Sequence, residues 1–434
     1  MGGQPRSDFI IDVLTREFGE LMAVDPAAFR RKFRKMAASP FAFYRGSASL
    51  FYADLTGDWR DDRFLDEHTS RVWIHGDLHA ENFGTYMNSS GQLVFNVNDF
   101  DEAYVGPFVW DLKRFCASVA LIGYSKALSD DVITSLVRTF AGAYLTELRA
   151  IAHGGDDAIG SITLDNADGV LRRVLQEARL STRVDLLAGQ TTIDEYERRF
   201  SLGDGVYDVD AATAEQVTAA FHAYLDTLPS HGHGVSTGIK DIKLRKGVGI
   251  GSAGLPSYNL LLEGHTQALE NDVIIYMKQA QVPAVARWID DERVANYFQH
   301  QGHRTAESQR ALQAHADPWL GYTELAGVGQ LVAEVSPYAN DLDWADVNEP
   351  DELKGVIADL GRAVARMHSV ADDESSHDLV DFSTEEAIAA QVDKDEAGFV
   401  QALVDFAHRY GDQAREDHQD FVDLFRNGRL PGLD

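Results

Sequence analysis

The sequence predicts an α+β protein in which a strand-rich segment is set apart from longer helical ones. Three observations carry that expectation. Apolar residues recur at helical spacing through residues 8–38 and again through most of 107–228. Three short aliphatic runs, "IKDIKLRKGVGIG", "SYNLLLEG" and "DVIIYMKQAQ", then follow one another across turn-forming residues. At 434 residues the chain is long enough for two or three units with a large shared core, taking about 150 residues per domain.

Taken in order, residues 1–70 form an N-terminal helical and aromatic segment, ending in the weakly periodic "SPFAFYRGSASLFYADL". Residues 71–228 open with a short strand in "RVWIHGD" and a polar loop. A hairpin, "NFGTYM" and "QLVFNVNDF", follows around the turn "NSSG". From Pro107 the pattern becomes helical: "PFVWDLKRFCASVALIGY", then 129–152, 169–188 and 210–228. The aperiodic "LPSHGHGVST" marks a boundary before a sheet unit at 238–336. That unit includes helix-like stretches at 282–298 and 303–315 and a last strand, "GQLVAEVSP". Residues 337–434 read as an amphipathic helix, "DELKGVIADLGRAVARMHSV", and an acidic helical tail. No internal repeat is present.

Composition removes several function classes. No run approaches the ~20 apolar residues needed to span a bilayer. The start "MGGQPRSDFIID" has no apolar signal core, so a cytoplasmic protein is expected. The one cysteine, Cys116, excludes an internal disulfide and a cysteine-clustered zinc site. A net charge of −30 opposes binding to nucleic acid or to an anionic membrane. Only "RRKFRKM" and "KDIKLRKG" are basic runs, and the second leads directly into a glycine-rich stretch, where it could attract a polyphosphate.

Two constellations carry chemistry. In the first, "HGDLHAENFGTYMNSSGQLVFNVNDFDEA", pairing of 83–87 with 92–97 brings the outer ends of the hairpin together, and with them Asn82 and Asp99. An amide oxygen beside a carboxylate makes a hard-oxygen site suited to Mg²⁺. Asp77, five residues before Asn82, is placed to accept a proton from a hydroxyl. Each residue also has a plainer reading: Asn and Asp are common turn residues, and His75 suits an internal hydrogen bond. "HAE" matches the H-x-E of zinc deaminases, which also need cysteine ligands. A transition metal on His75, Asp77 and His79 would leave Asn82 and "NDFD" without a role.

In the second constellation, "GVGIGSAG" offers Gly247, Gly249, Gly251 and Gly254 around Ser252 between strands, so that backbone N–H groups can face phosphate oxygens. Alone it equally describes a hairpin or bulge. It is neither a Walker A motif nor a dinucleotide fingerprint. Lys278 follows in an apolar strand, where an ammonium must snorkel or find an anion. Glu307 then lies on a helix, in "HRTAESQRALQ".

"HGDLHAEN" resembles the H-x-D-x-x-x-x-N catalytic loop of the protein-kinase-like superfamily, in particular its aminoglycoside and choline phosphotransferase branch, and "NDFD" resembles that superfamily's metal-binding motif. The resemblance implies Asp77 as catalytic base or hydroxyl-orienting residue, Asn82 and Asp99 as Mg²⁺ ligands, and Asp101 as an auxiliary acid. "GPFVWDL" is similar to the helix start whose aspartate, here Asp111, braces the catalytic loop. The glycine loop would cover the phosphates of ATP, and Lys278, positioned by Glu307, would hold them. "GQLVAEVSPYAND" resembles the strand entering the hinge, with backbone near Glu334 meeting adenine. "LGRAVARMH" resembles the helix that precedes the catalytic loop. Arg45, in "FYRGSA", would contact phosphate or acceptor, or make a structural ion pair.

These parts occur out of the superfamily's order, and joining the chain's end to its beginning restores it. The implied fold is therefore a circularly permuted, bilobal kinase-like one, with a small antiparallel-sheet lobe and a larger helical lobe. By "SPFAFYRG", "HGDLHAENFG" and "VGIGSAG" in that order, the chain is identified as a member of the DUF2252 family of uncharacterised bacterial proteins. The implied activity is ATP- and Mg²⁺-dependent phosphoryl transfer to a hydroxyl of an unidentified acceptor, a small molecule by the resemblance. AMP transfer on the same fold, and nucleotide binding without turnover, are the alternatives.

Overall fold

The computed structural model describes residues 4–154, 161–203, 205–228, 238–246, 254–373, 375 and 377–433. The first helical stretch is cut in two where Asp25 and Pro26 meet: α1 (Arg6–Val24) ends, and α2 (Pro26–Met36) begins with proline in its first turn. The Asp25 carboxylate accepts the Ala28 N–H at 2.8 Å and caps α2. Ser39 and Pro40 repeat the device for α3 (Pro40–Gly46), and α4 (Ala48–Thr56) follows. Every residue of α4 from Ala48 to Leu55 is buried. A helix enclosed on all sides has no polar stripe, which is why this segment shows so little periodicity in sequence.

The strand β1 (Val72–Ile74), the hairpin β2 (Phe83–Met87) and β3 (Leu93–Val97), and β4 (Tyr104–Gly106) come next. β1 pairs antiparallel with β4, and the hairpin has the expected register, with Phe83 opposite Val97. Helices α5 (Phe108–Ser125) and α6 (Asp130–Ala152) run as expected, whereas the helix expected at 169–188 is two, α7 (Gly169–Ala178) and α8 (Arg183–Gln190). A small hairpin, β5 (Thr191–Asp194) and β6 (Glu197–Phe200), then leads into β7 (Val206–Asp208) and α9 (Ala211–Leu225).

The large sheet takes in β8 (Ile239–Arg245), β9 (Ser257–Leu262) and β10 (Val273–Gln279). After α10 (Glu292–Tyr297) and α11 (Gln301–Leu312) it is completed by β11 (Gly321–Leu325) and β12 (Val328–Glu334). Its six strands lie in the order β11-β12-β10-β9-β8-β7, every neighbour antiparallel. β7 and α9 precede the boundary read at residues 229–237 yet belong here: Val217, Phe221 and Tyr224 of α9 share a core with Leu260, Ile275 and Val332. The stretch 282–298 is a 3-10 turn (Ala284–Trp288) followed by α10 rather than one helix.

Finally α12 (Pro350–Ser369), α13 (Thr384–Val392) and α14 (Glu396–Arg426) return to the helical core with α5 and α6. α12 and α6 approach closely at Gly361, where a Cβ would lie 2.6 Å from the Phe140 carbonyl oxygen. The protein is thus mixed α+β, with one six-stranded antiparallel sheet and a helical part carrying the largest core cluster.

The two ends of the chain meet. Arg6 bonds Asp54 of α4 and Asp417 of α14, both at 2.6 Å, and Tyr410 donates to Asp54 at 2.8 Å. Both carboxylates are nearly inaccessible, so their shared cation is what makes their burial tolerable. We expect Arg6→Met to cost about 3 kcal/mol, the scale of breaking a buried pair on one side. A fall in the urea midpoint with an unchanged slope measures it.

Candidate active site

The loop at residues 75–82 is held from beneath. Asp111, in the first turn of α5 and fully buried, accepts the His75 N–H at 2.6 Å and the Gly76 N–H at 3.0 Å. His368 at the end of α12 lies 3.3 Å from the same carboxylate, with Tyr144 Oη 3.0 Å from its other ring nitrogen. Asp111 is therefore a brace without access to a ligand. Gly76 has φ +78°, and a Cβ there would lie 2.0 Å from the Glu102 carbonyl oxygen, so only glycine fits. Tyr52 donates to the Gly76 carbonyl from the opposite side.

His75 accepts the Asp77 N–H on Nδ1 at 3.2 Å and donates from Nε2 to the Asn98 carbonyl at 2.9 Å. Both ring nitrogens are spent, which removes His75 from any transition-metal set with Asp77 and His79. His79 is buried, and that burial drives its imidazole toward the uncharged form. Among the described residues, no group of three or more His, Cys, Asp or Glu side chains could hold a metal ion by itself.

Asp77 receives Arg114 Nε at 2.6 Å on Oδ1. Burial pushes its carboxyl pKa upward while Arg114 pulls it back. The Asn82 amide donates to the Asp77 carbonyl at 2.9 Å, and the Asn82 carbonyl accepts the Asn98 N–H at 3.0 Å. The hairpin register thus sets Asn82 against residues 98 and 99, as alternation and turn chemistry require. Asp99 has φ +60°, a conformation that non-glycine residues adopt at a cost of about 1 kcal/mol or more and that clusters at functional sites. Its side chain is solvent-accessible yet walled in by the cleft. That enclosure first, then Asp101, raises its pKa.

The sheet supplies the other wall. Lys278 of β10 forms an ion pair with Asp101, 177 residues away in sequence. Burial pulls the lysine pKa down, but Asp101 and Asp99 outweigh it and hold the ammonium above the ordinary lysine value. Lys278, Asp77, Asp99 and Asp101 line one cleft with about 750 Å³ of empty space, its solvent-open part included. Arg45 also lines it, paired with Glu81. Glu102 sits there with its carboxyl pushed up to about 8 by burial and by Asp77, accepting the Ala284 N–H at 2.5 Å.

The residues fit a divalent cation by charge and chemistry. Even with Glu102 largely protonated, Glu17, Asp77, Asp99 and Asp101 outnumber Lys32, Arg45 and Lys278 in the cleft. Among the described residues neither the Asp99 carboxylate nor the Asn82 amide oxygen has a hydrogen-bond donor. Oxygen donors of this kind suit Mg²⁺.

One expectation is corrected. Glu307 does not position Lys278: it bonds Arg310 at 2.5 Å. α11 presents Arg304 and Ser308 to the loop after the hairpin, and Glu307 is instead taken up by Arg310, whose guanidinium also donates to the Thr227 and Leu320 carbonyls. Asp101 takes the place of the expected glutamate. Glu334, read at the hinge for its backbone, ends β12 with its carboxylate 2.6 Å from Arg183 of α8. Gly247, Gly249, Gly251 and Ser252 lie outside the described residues. Gly254 is described, with φ +81°, and its neighbour Leu255 lines the cleft.

Arg114, Glu102, Lys32 and Glu17 were not singled out from sequence. A signal existed for Arg114, three residues after Asp111 in "WDLKR" and so on the same side of α5, and for Lys32 only as a member of the basic run "RRKFRKM". The others reach the cleft from remote positions.

Beside Glu334, Asp317 is pushed up to about 7 by burial first and Glu334 second. Its folded pKa exceeds the unfolded one, so the stability it contributes is complete below about 3.8 and is lost as pH rises through about 7. Asp317→Asn should gain stability on the parent as pH rises from about 4 to about 7, with the gain level above that, read from denaturant midpoints at each pH.

No curated protein and no solved structure matches the chain. One family model does, over residues 24–424, described as an uncharacterized protein conserved in bacteria. With nearly its whole length matched, and Asp77, Asn82, Asp99, Asp101 and Lys278 all inside the match, this chain belongs to the DUF2252 family.

Proposed function

We propose that the protein is a Mg²⁺- and ATP-dependent phosphotransferase acting on a hydroxyl of a small molecule, with a circularly permuted kinase-like arrangement. The observation that carries the reading is Lys278, brought by the sheet to the carboxylates that follow the hairpin, in one cleft with Asp77. Residues at opposite ends of this set have no local reason to meet. A triphosphate needs them together, a cation for its oxygens and carboxylates for its metal. The meeting of the chain ends at Arg6, Asp54 and Asp417, and of Arg30 with the Leu433 carbonyl at 2.5 Å, suits a permuted order.

Each residue then has a role. Asn82 and Asp99 would hold Mg²⁺, which when bound neutralises charge on the phosphate oxygens. Lys278 exchanges Asp101 for a phosphate oxygen. The acceptor hydroxyl attacks the terminal phosphorus as the bridging P–O bond breaks, and its proton passes to Asp77. Because Arg114 fixes Oδ1, Asp77 works chiefly by orienting the hydroxyl, with its other oxygen receiving the proton. The Asp111 brace makes that orientation ready before binding.

ATP with Mg²⁺ across a panel of hydroxyl acceptors, followed by mass analysis, tests the reading. Phosphate on the acceptor is expected, with kcat lowered roughly 10²–10⁴-fold in Asp77→Ala and roughly 10²–10³-fold in Lys278→Ala. AMP on the acceptor would replace phosphoryl by adenylyl transfer. Nucleotide bound without turnover would overturn the enzyme reading.

A further inference from the structure

The cleft has a second, basic chamber. A cavity with about 1050 Å³ of empty space, its solvent-open part included, adjoins the cleft and shares Lys32 and Leu255 with it. Arg31, Lys32 and Lys35 of α2 face it from one side and Lys246 from the other, against Asp25 as the one carboxylate among the described residues that line it. That carboxylate is already engaged in capping α2. In a chain of net charge −30, such a concentration of cations runs against composition.

Arg31, Lys35 and Lys246 are exposed and by themselves would be a solvated face. Lys32 is different. Only 4 % of it is accessible, and no hydrogen bond or ion pair to it occurs among the described residues. Its ammonium lies over the Phe18 ring, 3.9 Å from the centroid. Burial lowers its pKa to about 8, with Glu102, Glu17 and Asp77 acting against that from farther off. With no anion bonded to it among the described residues, an ammonium that lines both cavities is placed to take one from a ligand. The acidic surplus of the cleft suits a metal ion, and the basic chamber beside it suits the anion that accompanies one.

We infer that Lys32, with Arg31, Lys35 and Lys246, forms a phosphate-binding subsite joined to the Asp77–Lys278 cleft. Its ligand is a phosphate group, belonging either to the polyphosphate of the nucleotide or to a phosphorylated acceptor. The link to transfer rests on the phosphotransferase reading, whereas binding of the anion is measured without turnover.

The test is calorimetric titration of the full chain with inorganic tripolyphosphate at low salt. Binding is expected, weakened roughly tenfold or more in Lys32→Met, which keeps length and burial but removes the charge. Lys35→Ala/Lys246→Ala, confined to exposed positions, should weaken it several-fold and serves if Lys32→Met does not fold. A non-hydrolysable ATP analogue separates the sources: displacement of tripolyphosphate assigns the subsite to the nucleotide, and simultaneous binding assigns it to the acceptor. No binding by the parent overturns the inference. So does unchanged binding in the folded variants, or loss of binding in Lys278→Ala alone. Turnover by the parent with any of these results would leave the phosphotransferase reading standing.

Discussion

The ion pair between Lys278 and Asp101 is the interaction on which the rest of the site depends. It joins β10, in the middle of the large sheet, to the loop that leaves the β2–β3 hairpin, and so decides that two distant segments share one cleft. Without Asp101 the half-buried ammonium would be left to Asp99 at longer range, and without Lys278 the carboxylates of the loop would repel one another. Arg304 reinforces the junction by donating to the carbonyls of Asp101 and Ala103, both at 2.7 Å, from a helix fixed to the sheet. The cleft is in this sense already charged and closed on its cationic side, while its acidic side keeps a surplus.

The helical part contributes rigidity. Asp111, His75, Gly76 and Tyr52 fix the backbone of the loop by hydrogen bonds that involve no ligand, and α12 supplies His368 behind them. Asp77 and Asn82 therefore project from a backbone with few alternatives. Positioning of that kind is what transfer between two bound molecules requires. The strained backbone at Asp99 belongs to the same frame, held by a hairpin whose register cannot slip without turning its buried face outward.

Local rules made part of this visible. The hairpin and the convergence of Asn82 with Asp99 follow from strand alternation around "NSSG", and the capping of α2 and α3 from Asp25-Pro26 and Ser39-Pro40. The helices of the large core were legible wherever one face stayed polar, as in α6 and α12, and were obscured where, as in α4, none did. The short strands at residues 191–208 carried too few residues for any period to stand out. β7 was consequently assigned to the wrong side of a boundary.

Sequence by itself determined the α+β character, the loop carrying Asp77 and Asn82, the hairpin ending at Asp99, and Lys278 as a strand lysine needing an anion. These follow from spacing over a few residues, where backbone geometry leaves little choice. Only the tertiary structure decided which anion that is. Asp101 rather than Glu307 meets Lys278, because Arg304 of α11 fixes the loop carrying Asp101 while Glu307 is held by Arg310. It also brought Arg114 under Asp77 and Lys32 into the cleft from the first helices. Such partners are set by how whole elements pack, and no local pattern encodes the distance between two surfaces that the chain joins hundreds of residues apart.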